Sequence, residues 1–252
     1  MFNFFAKEEN RQGTAFYLTG SDCNHIKNVL RMKKGDNILV SCDGKSHLCS
    51  LTELGQDFAV AEIIEENFQD TELPVKIYLF QGLPKGEKTE LIIQKAVELG
   101  VHKLIPVEMN RCVVKLDEKK KKAKTARWQA IAESAAKQSK RTLVPEIKEP
   151  VSYNEAIRKA SDLDLFLVPY ESKKGMEDTK EALSLIKKNT SVGILIGPEG
   201  GFEESEVEKA LSAGGKIISL GRRILRTETA AITAVGLCML YTEMNLNGED
   251  DD

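Results

Sequence analysis

Paired cysteines are missing from this chain. Cys23, Cys42, Cys49, Cys112 and Cys238 are scattered, odd in number and contain no C-x-x-C pair. That spacing argues against a disulfide framework or a cysteine-based zinc site and points to reduced thiols. Histidine is scarcer still: His25, His47 and His102 share no metal-like spacing, so no metal is expected. Long hydrophobic runs are absent too. The longest, 230–241, falls short of the roughly 20 residues that a membrane span requires. The opening Met1-Phe-Asn-Phe-Phe is too short for a signal segment and is followed by charges. The expectation is a soluble cytoplasmic protein with no membrane partner.

Charge of one sign is also lacking overall, since the 252 residues carry a net charge of only −3. The distribution is uneven. Residues 1–73 hold 7 basic and 12 acidic side chains, residues 74–149 hold 17 and 9, and residues 150–252 hold 12 and 18. A basic middle on an acidic protein fits a phosphate-facing surface, because clustered Lys and Arg gain by releasing counterions. Lys119-Lys-Lys-Lys122 taken alone reads as a solvated helix face.

Hydrophobic residues make up 41% of the chain, enough for a normal core. Strands are predicted at 14–18, 38–42, 46–54 and 58–64, with a helix over 21–31 capped by Ser21 and turns at Lys34-Gly35-Asp36, Asp43-Gly44 and Gly55. This is the pattern of a small β-barrel. The acidic segment 65–74 reads as a linker. From residue 75 strands and helices alternate: strands at 75–83, 103–108, 163–168, 192–196 and 217–220, helices at 86–99 and 118–140, and a stop at Gly214-Gly215. Such alternation implies a mainly parallel sheet covered on both faces. The last helix, 228–244, is apolar on nearly every side, so it is expected to be buried all round. Residues 247–252 read as a frayed acidic tail.

Two glycine loops carry most of the functional information. Leu195-Ile-Gly-Pro-Glu-Gly-Gly-Phe202 and Leu220-Gly-Arg-Arg-Ile-Leu-Arg-Thr-Glu-Thr-Ala230 each leave a short apolar strand and enter a helix. Loops at the carboxyl ends of parallel strands are where an open α/β sheet binds small molecules. The common phosphate motifs fail. No Lys-Ser/Thr follows Gly201, as a P-loop requires, and the spacing is not G-x-G-x-x-G. Glu203, Glu204 and Glu206 at the next helix start would repel a pyrophosphate seated there. A phosphate-free ligand, neutral or cationic at its reactive end, fits better, and S-adenosylmethionine with its sulfonium is one such ligand.

The two strings together resemble the cofactor loops of SPOUT-class RNA methyltransferases. In full they are similar to one family, the RsmE-type 16S rRNA (uracil-N3)-methyltransferases. The resemblance extends to His25-Ile-Lys-Asn-Val-Leu-Arg31, to Glu98-Leu-Gly-Val101, and to Trp128 with Glu133-Ser-Ala-Ala-Lys-Gln-Ser-Lys-Arg141. It implies a PUA-like RNA-binding barrel at 1–73 and a SPOUT-type α/β domain with a parallel sheet and trefoil knot at 74–252. It also implies a homodimer, S-adenosylmethionine as cofactor, and 16S rRNA of the small ribosomal subunit as partner.

Uridine N3 carries a proton and is a poor nucleophile until that proton leaves. Arg226 is the candidate that would stabilise charge developing on the uracil edge, since arginine stays protonated. Glu228 is the first candidate proton acceptor and Glu199 the alternative; either could instead order a loop. One cofactor wall would comprise Ile196, Gly197, Pro198, Glu199, Gly200 and Gly201. The other would comprise Leu220, Gly221, Ile224, Leu225, Arg226 and Thr229, with Leu167, Val168, Pro169, Tyr170 and Glu171 as a third. His25, Arg31, Lys85, Lys88, Arg111, Lys137 and Arg141 are candidates for RNA contact. Rival readings are a SPOUT enzyme acting on a ribose 2′-OH or another base, a non-catalytic RNA-binding or ribosome-assembly protein, and, more weakly, a nucleotide-binding enzyme.

Overall fold

The computed structural model describes residues 1–171 and 175–246. The proposed acidic tail, 247–252, lies outside the described residues. The chain divides into two compact units: Met1–Glu72 with Ala136–Val144, and Leu73–Ala135 with Pro145–Asp252.

The first unit contains β1 (Asn3–Phe5), β2 (Arg11–Gln12), β3 (Ala15–Thr19), α1 (Gly20–Asn24), β4 (Asn37–Cys42), β5 (Lys45–Leu54) and β6 (Phe58–Glu65). They form one six-stranded sheet in the order β1-β4-β5-β6-β3-β2. All pairings are antiparallel except that of β1 with β4. Alternate residues turn inward, as the two-residue period of a strand dictates. Phe16 and Leu18, Ile38 and Val40, Cys49 and Leu51, and Ala59 and Ala61 thereby meet in one cluster with Phe4 and Ile26. The sheet is a curled half-barrel around that cluster.

The helix after β3 differs from expectation. It starts at Gly20, so Ser21 lies inside it; its cap is Thr19, which makes no side-chain bond. From His25 to Val29 the turn widens to a π-helix, and Arg31 then adopts a left-handed φ of 53°. The linker expected at 65–74 is also tied down within this unit. Arg11 pairs with Glu66 at 2.5 Å, and the Phe68 amide donates to the Ser46 carbonyl at 2.8 Å. Glu72 pairs with the Arg141 guanidinium and accepts from the Thr142 and Leu143 amides at 3.0 and 3.2 Å. Asn3 Nδ2 donates to the Arg141 carbonyl at 3.0 Å. These bonds attach the distant segment 136–144 to the first unit.

The second unit contains β7 (Lys76–Gly82), α2 (Lys88–Glu98), β8 (Lys103–Glu108), α3 (Glu118–Gln138), β9 (Glu146–Ile147), β10 (Val151–Ser152), α4 (Tyr153–Ser161), β11 (Leu165–Pro169), α5 (Glu177–Leu183), β12 (Ser191–Ile196), α6 (Glu204–Ser212), β13 (Lys216–Ile218) and α7 (Thr227–Leu246). The last three residues of α3 belong to the first unit. The sheet order is β10-β8-β7-β12-β11-β13, with β9 beside β8, and every pairing is parallel. Strands covered on both faces read as continuous apolar runs. Accordingly Val192, Ile194, Leu195 and Ile196, and Leu165 through Val168, are all buried. Truncating Ile194, fully buried, to alanine costs about 2–5 kcal/mol.

The final helix departs from expectation. Only Thr227, Ala231, Ala234, Val235, Cys238 and Thr242 are buried, a single stripe at helical spacing that packs on β7, β12 and α2. Leu240 and Met244 are 53% and 74% exposed. An all-round apolar sequence predicts all-round burial, but one copy of the chain covers one face of this helix.

Candidate functional site

All parallel strands end on the same edge of the sheet, and there the two glycine loops meet across a crevice of about 800 Å³. Gly201 and Gly221 have φ of +69° and +106°, conformations that side chains with a Cβ resist. Gly200 is tight for a different reason. A Cβ there would stand 3.0 Å from Arg111 Cβ.

The first loop is held from every side. Thr227 Oγ1 donates to the Gly197 carbonyl at 2.7 Å and accepts from Gln81 Nε2 at 2.9 Å, both deep in the unit. Arg111 Nη1 donates to the Gly200 carbonyl at 3.0 Å. The Lys85 amide donates to Glu199 Oε1 at 3.0 Å. Behind the loop, Glu203 and Glu206 form a capping box at the start of α6. Glu206 is buried and accepts from the Glu203 and Asn110 amides at 2.9 and 3.0 Å. Of the three carboxylates expected to repel a pyrophosphate, two are therefore engaged in capping, and Glu204 lines the crevice. The second loop is looser. Arg222, Arg223, Ile224 and Arg226 are exposed, Ile224 by 84%.

One ammonium connects two carboxylates at this site. Lys88 Nζ lies 3.0 Å from Glu199 and 3.4 Å from Glu228. The bond to Glu199 is the main reason that Lys88 holds its proton above the ordinary lysine range. Burial works to raise Glu199, but bonds from Lys88 and from backbone amides, with the charge of Lys88, bring it below the usual carboxylate range. The Glu228 oxygen that faces Lys88, Oε2, is buried and has no hydrogen bond.

Among the sequence candidates, Ile196, Gly197, Pro198, Glu199, Gly200, Gly201, Leu220, Ile224, Leu225, Arg226 and Pro169 line the crevice, as do Lys88 and Arg111. Leu167 and Val168 are buried within β11, one strand layer back, and do not line it. Neither do Gly221, Glu228 or Thr229, although each adjoins a lining residue. Tyr170, Glu171, Phe202, Glu204, Arg223, Thr227 and Ala230 also line it. Of these, Tyr170 and Glu171 belong to the third wall expected from the sequence. Thr227 lay within the second loop string with no role assigned, and its role as a hydrogen-bond bridge depends on residues 30 and 146 positions away.

The remaining RNA candidates lie in the first unit. His25 packs edge-on to Phe4 at 6.1 Å, and Arg31 is exposed. Lys137 bonds Asp22 at 2.8 Å. Arg141 is only 4% exposed and engaged by Glu72. This guanidinium, paired with Glu72, holds the 136–144 segment in place. The one cluster of potential metal-ligating side chains among the described residues is Glu8, Cys42 and Asp43 in the first unit.

Backbone groups, apolar side chains and charges of both signs thus surround one crevice. That lining suits a ligand that is flat and polar at one end and carries both positive and negative groups at the other. Fold and site together define an open parallel α/β protein with a small-molecule crevice at its carboxyl edge. Two family models match the chain: an RNA methyltransferase domain over residues 71–239 and an RNA methyltransferase PUA domain over residues 18–64. The Ribosomal RNA small subunit methyltransferase E of Bacillus subtilis (strain 168) is 42% identical over 242 residues, 94% of each chain. The solved Ribosomal RNA small subunit methyltransferase E of Neisseria gonorrhoeae, bound to S-adenosyl methionine, is 34% identical with a TM-score of 0.82, covering 95% of this chain and 97% of its own. A putative methyltransferase from Legionella pneumophila, in complex with the same cofactor, is 31% identical with a TM-score of 0.81, covering 95% and 97%. This chain belongs to the ribosomal RNA small subunit methyltransferase E family, with an α/β RNA methyltransferase domain preceded by a PUA-like domain.

Proposed function

We propose that this protein is an S-adenosylmethionine-dependent methyltransferase acting on N3 of a specific uridine in 16S rRNA of the small ribosomal subunit. The observation that carries this reading is the convergence of both glycine loops on one mixed-charge crevice. The residues fit the cofactor: main chain from Gly197 to Gly201 and apolar Leu220 and Leu225 for the adenosine, carboxylates and arginines for its charged end. When bound, S-adenosylmethionine supplies an electrophilic methyl group. The chain's own part is to position the uracil, exclude water and handle the N3 proton. Arg226 stabilises negative charge on the O2–N3–O4 edge. Glu199 is engaged by the Lys85 amide and by Lys88, which gives it a loop-ordering role. Glu228 is therefore our proton acceptor, with Lys88 holding it beside the crevice.

RNA contact is assigned to His25, Arg31, Lys85, Lys88 and Arg111, with residues 1–73 as the RNA-binding domain and 74–252 as the catalytic one. Arg141 and Lys137 complete the set of candidates, and each also pairs with a carboxylate of the first unit, Glu72 and Asp22. The cytoplasm is the proposed location, where such RNA is assembled. A homodimer through α7 would cover exposed Leu240 and Met244. A trefoil knot is consistent with a chain that leaves edge strand β13 and returns to β7 and β12 as α7.

The test is nucleoside mass spectrometry after incubating the protein with S-adenosylmethionine and small ribosomal subunits or free 16S rRNA. N3-methyluridine is expected. Methylation of a ribose or another base would overturn the assignment. Cofactor binding by calorimetry separates an enzyme from a pure RNA-binding protein, which would show none.

A further inference from the structure

A run of lysines opens α3 where a helix should least tolerate them. The amino end of a helix carries a positive partial charge, and like charges three or four positions apart repel. Lys119 to Lys122 occupy that end. Part of the charge is neutralised within the unit. Asp117 caps the Lys120 amide at 2.8 Å and pairs with its ammonium at 3.2 Å. Lys121 reaches Glu108 at 3.2 Å and Glu118 at 3.3 Å. Lys119 and Lys122, one turn apart and both exposed, have no ion pair among the described residues, and neither does Lys115.

The Lys121–Glu108 pair also fixes where this end of the helix sits. Glu108 is the last residue of β8, and β8 runs parallel to β7 and β12, so the start of α3 stands on the same sheet edge as the crevice. Arg111, which lines the crevice, and Lys115 lie on the segment between β8 and α3. From this placement we infer a phosphate track that leaves the crevice at Arg111 and continues over Lys115, Lys119 and Lys122. Its occupant is the sugar-phosphate backbone of the RNA strand flanking the nucleotide held in the crevice. An anionic backbone supplies the countercharge that the protein leaves out, and its gain is counterion release. This inference rests on the proposed RNA methyltransferase activity.

The test uses the full chain with three neutralising changes, Lys115→Gln, Lys119→Gln and Lys122→Gln. A control carries Lys159→Gln and Lys187→Gln, which precede β11 and β12 and so lie toward the opposite edge. Affinity for a uridine-containing 16S rRNA fragment is measured from 50 to 200 mM salt. Each single-strand phosphate contact contributes about 0.7 to the salt slope, so the triple variant loses about 2. Its fall in affinity across that range then shrinks by roughly twentyfold relative to the parent. The RNA KM should rise while cofactor affinity stays at the parent value, and the control should keep the parent slope. A triple variant with the parent slope overturns the track, as does a control that loses as much. If the parent binds the fragment but transfers no methyl group to it or to 16S rRNA, the activity reading fails, and the inference falls with it.

Discussion

The two glycine loops make opposite use of the same residue type. The first is fixed by the protein's own bonds: Thr227, Arg111 and Lys85 bond it from three directions, and Gly197 and Pro198 are buried. The second is held at its ends, where the Gly221 amide meets Ser219 Oγ at 3.2 Å and buried Thr227 begins α7; its middle projects into solvent. One wall of the crevice is therefore preorganised and the other is free to adapt. A preformed wall lowers the ordering cost of binding, whereas an exposed wall can close over a ligand and exclude water.

The largest effect should come from the adaptable wall. Arg226→Ala is expected to slow methyl transfer by about 100-fold to 1000-fold, the loss that removing one charge-stabilising donor at a reacting group causes, while leaving cofactor affinity intact. Single-turnover rates and calorimetry on the same preparation check both halves, and a full-rate mutant removes Arg226 from the mechanism. Gly200→Val tests the rigid wall. Its side chain must displace Arg111, and overpacking of about 1–3 kcal/mol implies about 5- to 150-fold weaker cofactor binding. Affinity equal to the parent would show that this loop is merely a turn.

Thr227→Val asks whether the bridge between the loops matters. It leaves the Gly197 carbonyl without its donor and Gln81 Nε2 without its hydroxyl acceptor, although Gln81 keeps its bond to the Gly82 carbonyl at 2.8 Å. The cost is about 1–3 kcal/mol of stability, read as a lower denaturation midpoint. Thr227→Ser should recover most of it.

The smallest effect is electrostatic. Glu199 titrates below its ordinary value in the fold, so its contribution is fully present above that ordinary value and is lost as pH falls through the lower folded value. Its side chain is 30% exposed, so no more than about 1 kcal/mol is at stake. Lys88→Gln should flatten the acid limb of a stability profile. An unchanged limb would show that Lys88 does not hold Glu199 ionised.

Local pattern carried much of the fold. The strands β4, β5 and β6 and the parallel strands β8 and β12 follow from runs of two-residue alternation or continuous apolar character bounded by glycine and acidic turns. The parallel pairing of β1 with β4 was not legible, because three residues at a chain end have no periodicity to read. The attachment of 136–144 to the first unit was hidden for a related reason. It depends on Glu72 meeting Arg141, 69 residues away, and each looks like an ordinary surface charge in sequence. Of the crevice, the glycines and Arg226 stood out by type and spacing. Phe202, Glu204 and Arg223 did not, since nothing local separates a lining side chain from any other on a loop.

The sequence by itself determined the secondary structure that alternation and glycine punctuation dictate, the two loops, and the absence of phosphate-binding chemistry in them. These are properties of neighbours along the chain. Tertiary structure alone decided that the loops face one another, that Lys88 lies between Glu199 and Glu228, that one loop is rigid and the other exposed, and that α7 buries a single stripe. Each of those depends on which strands lie side by side, and parallel neighbours such as β7 and β12 are brought together from more than a hundred residues apart.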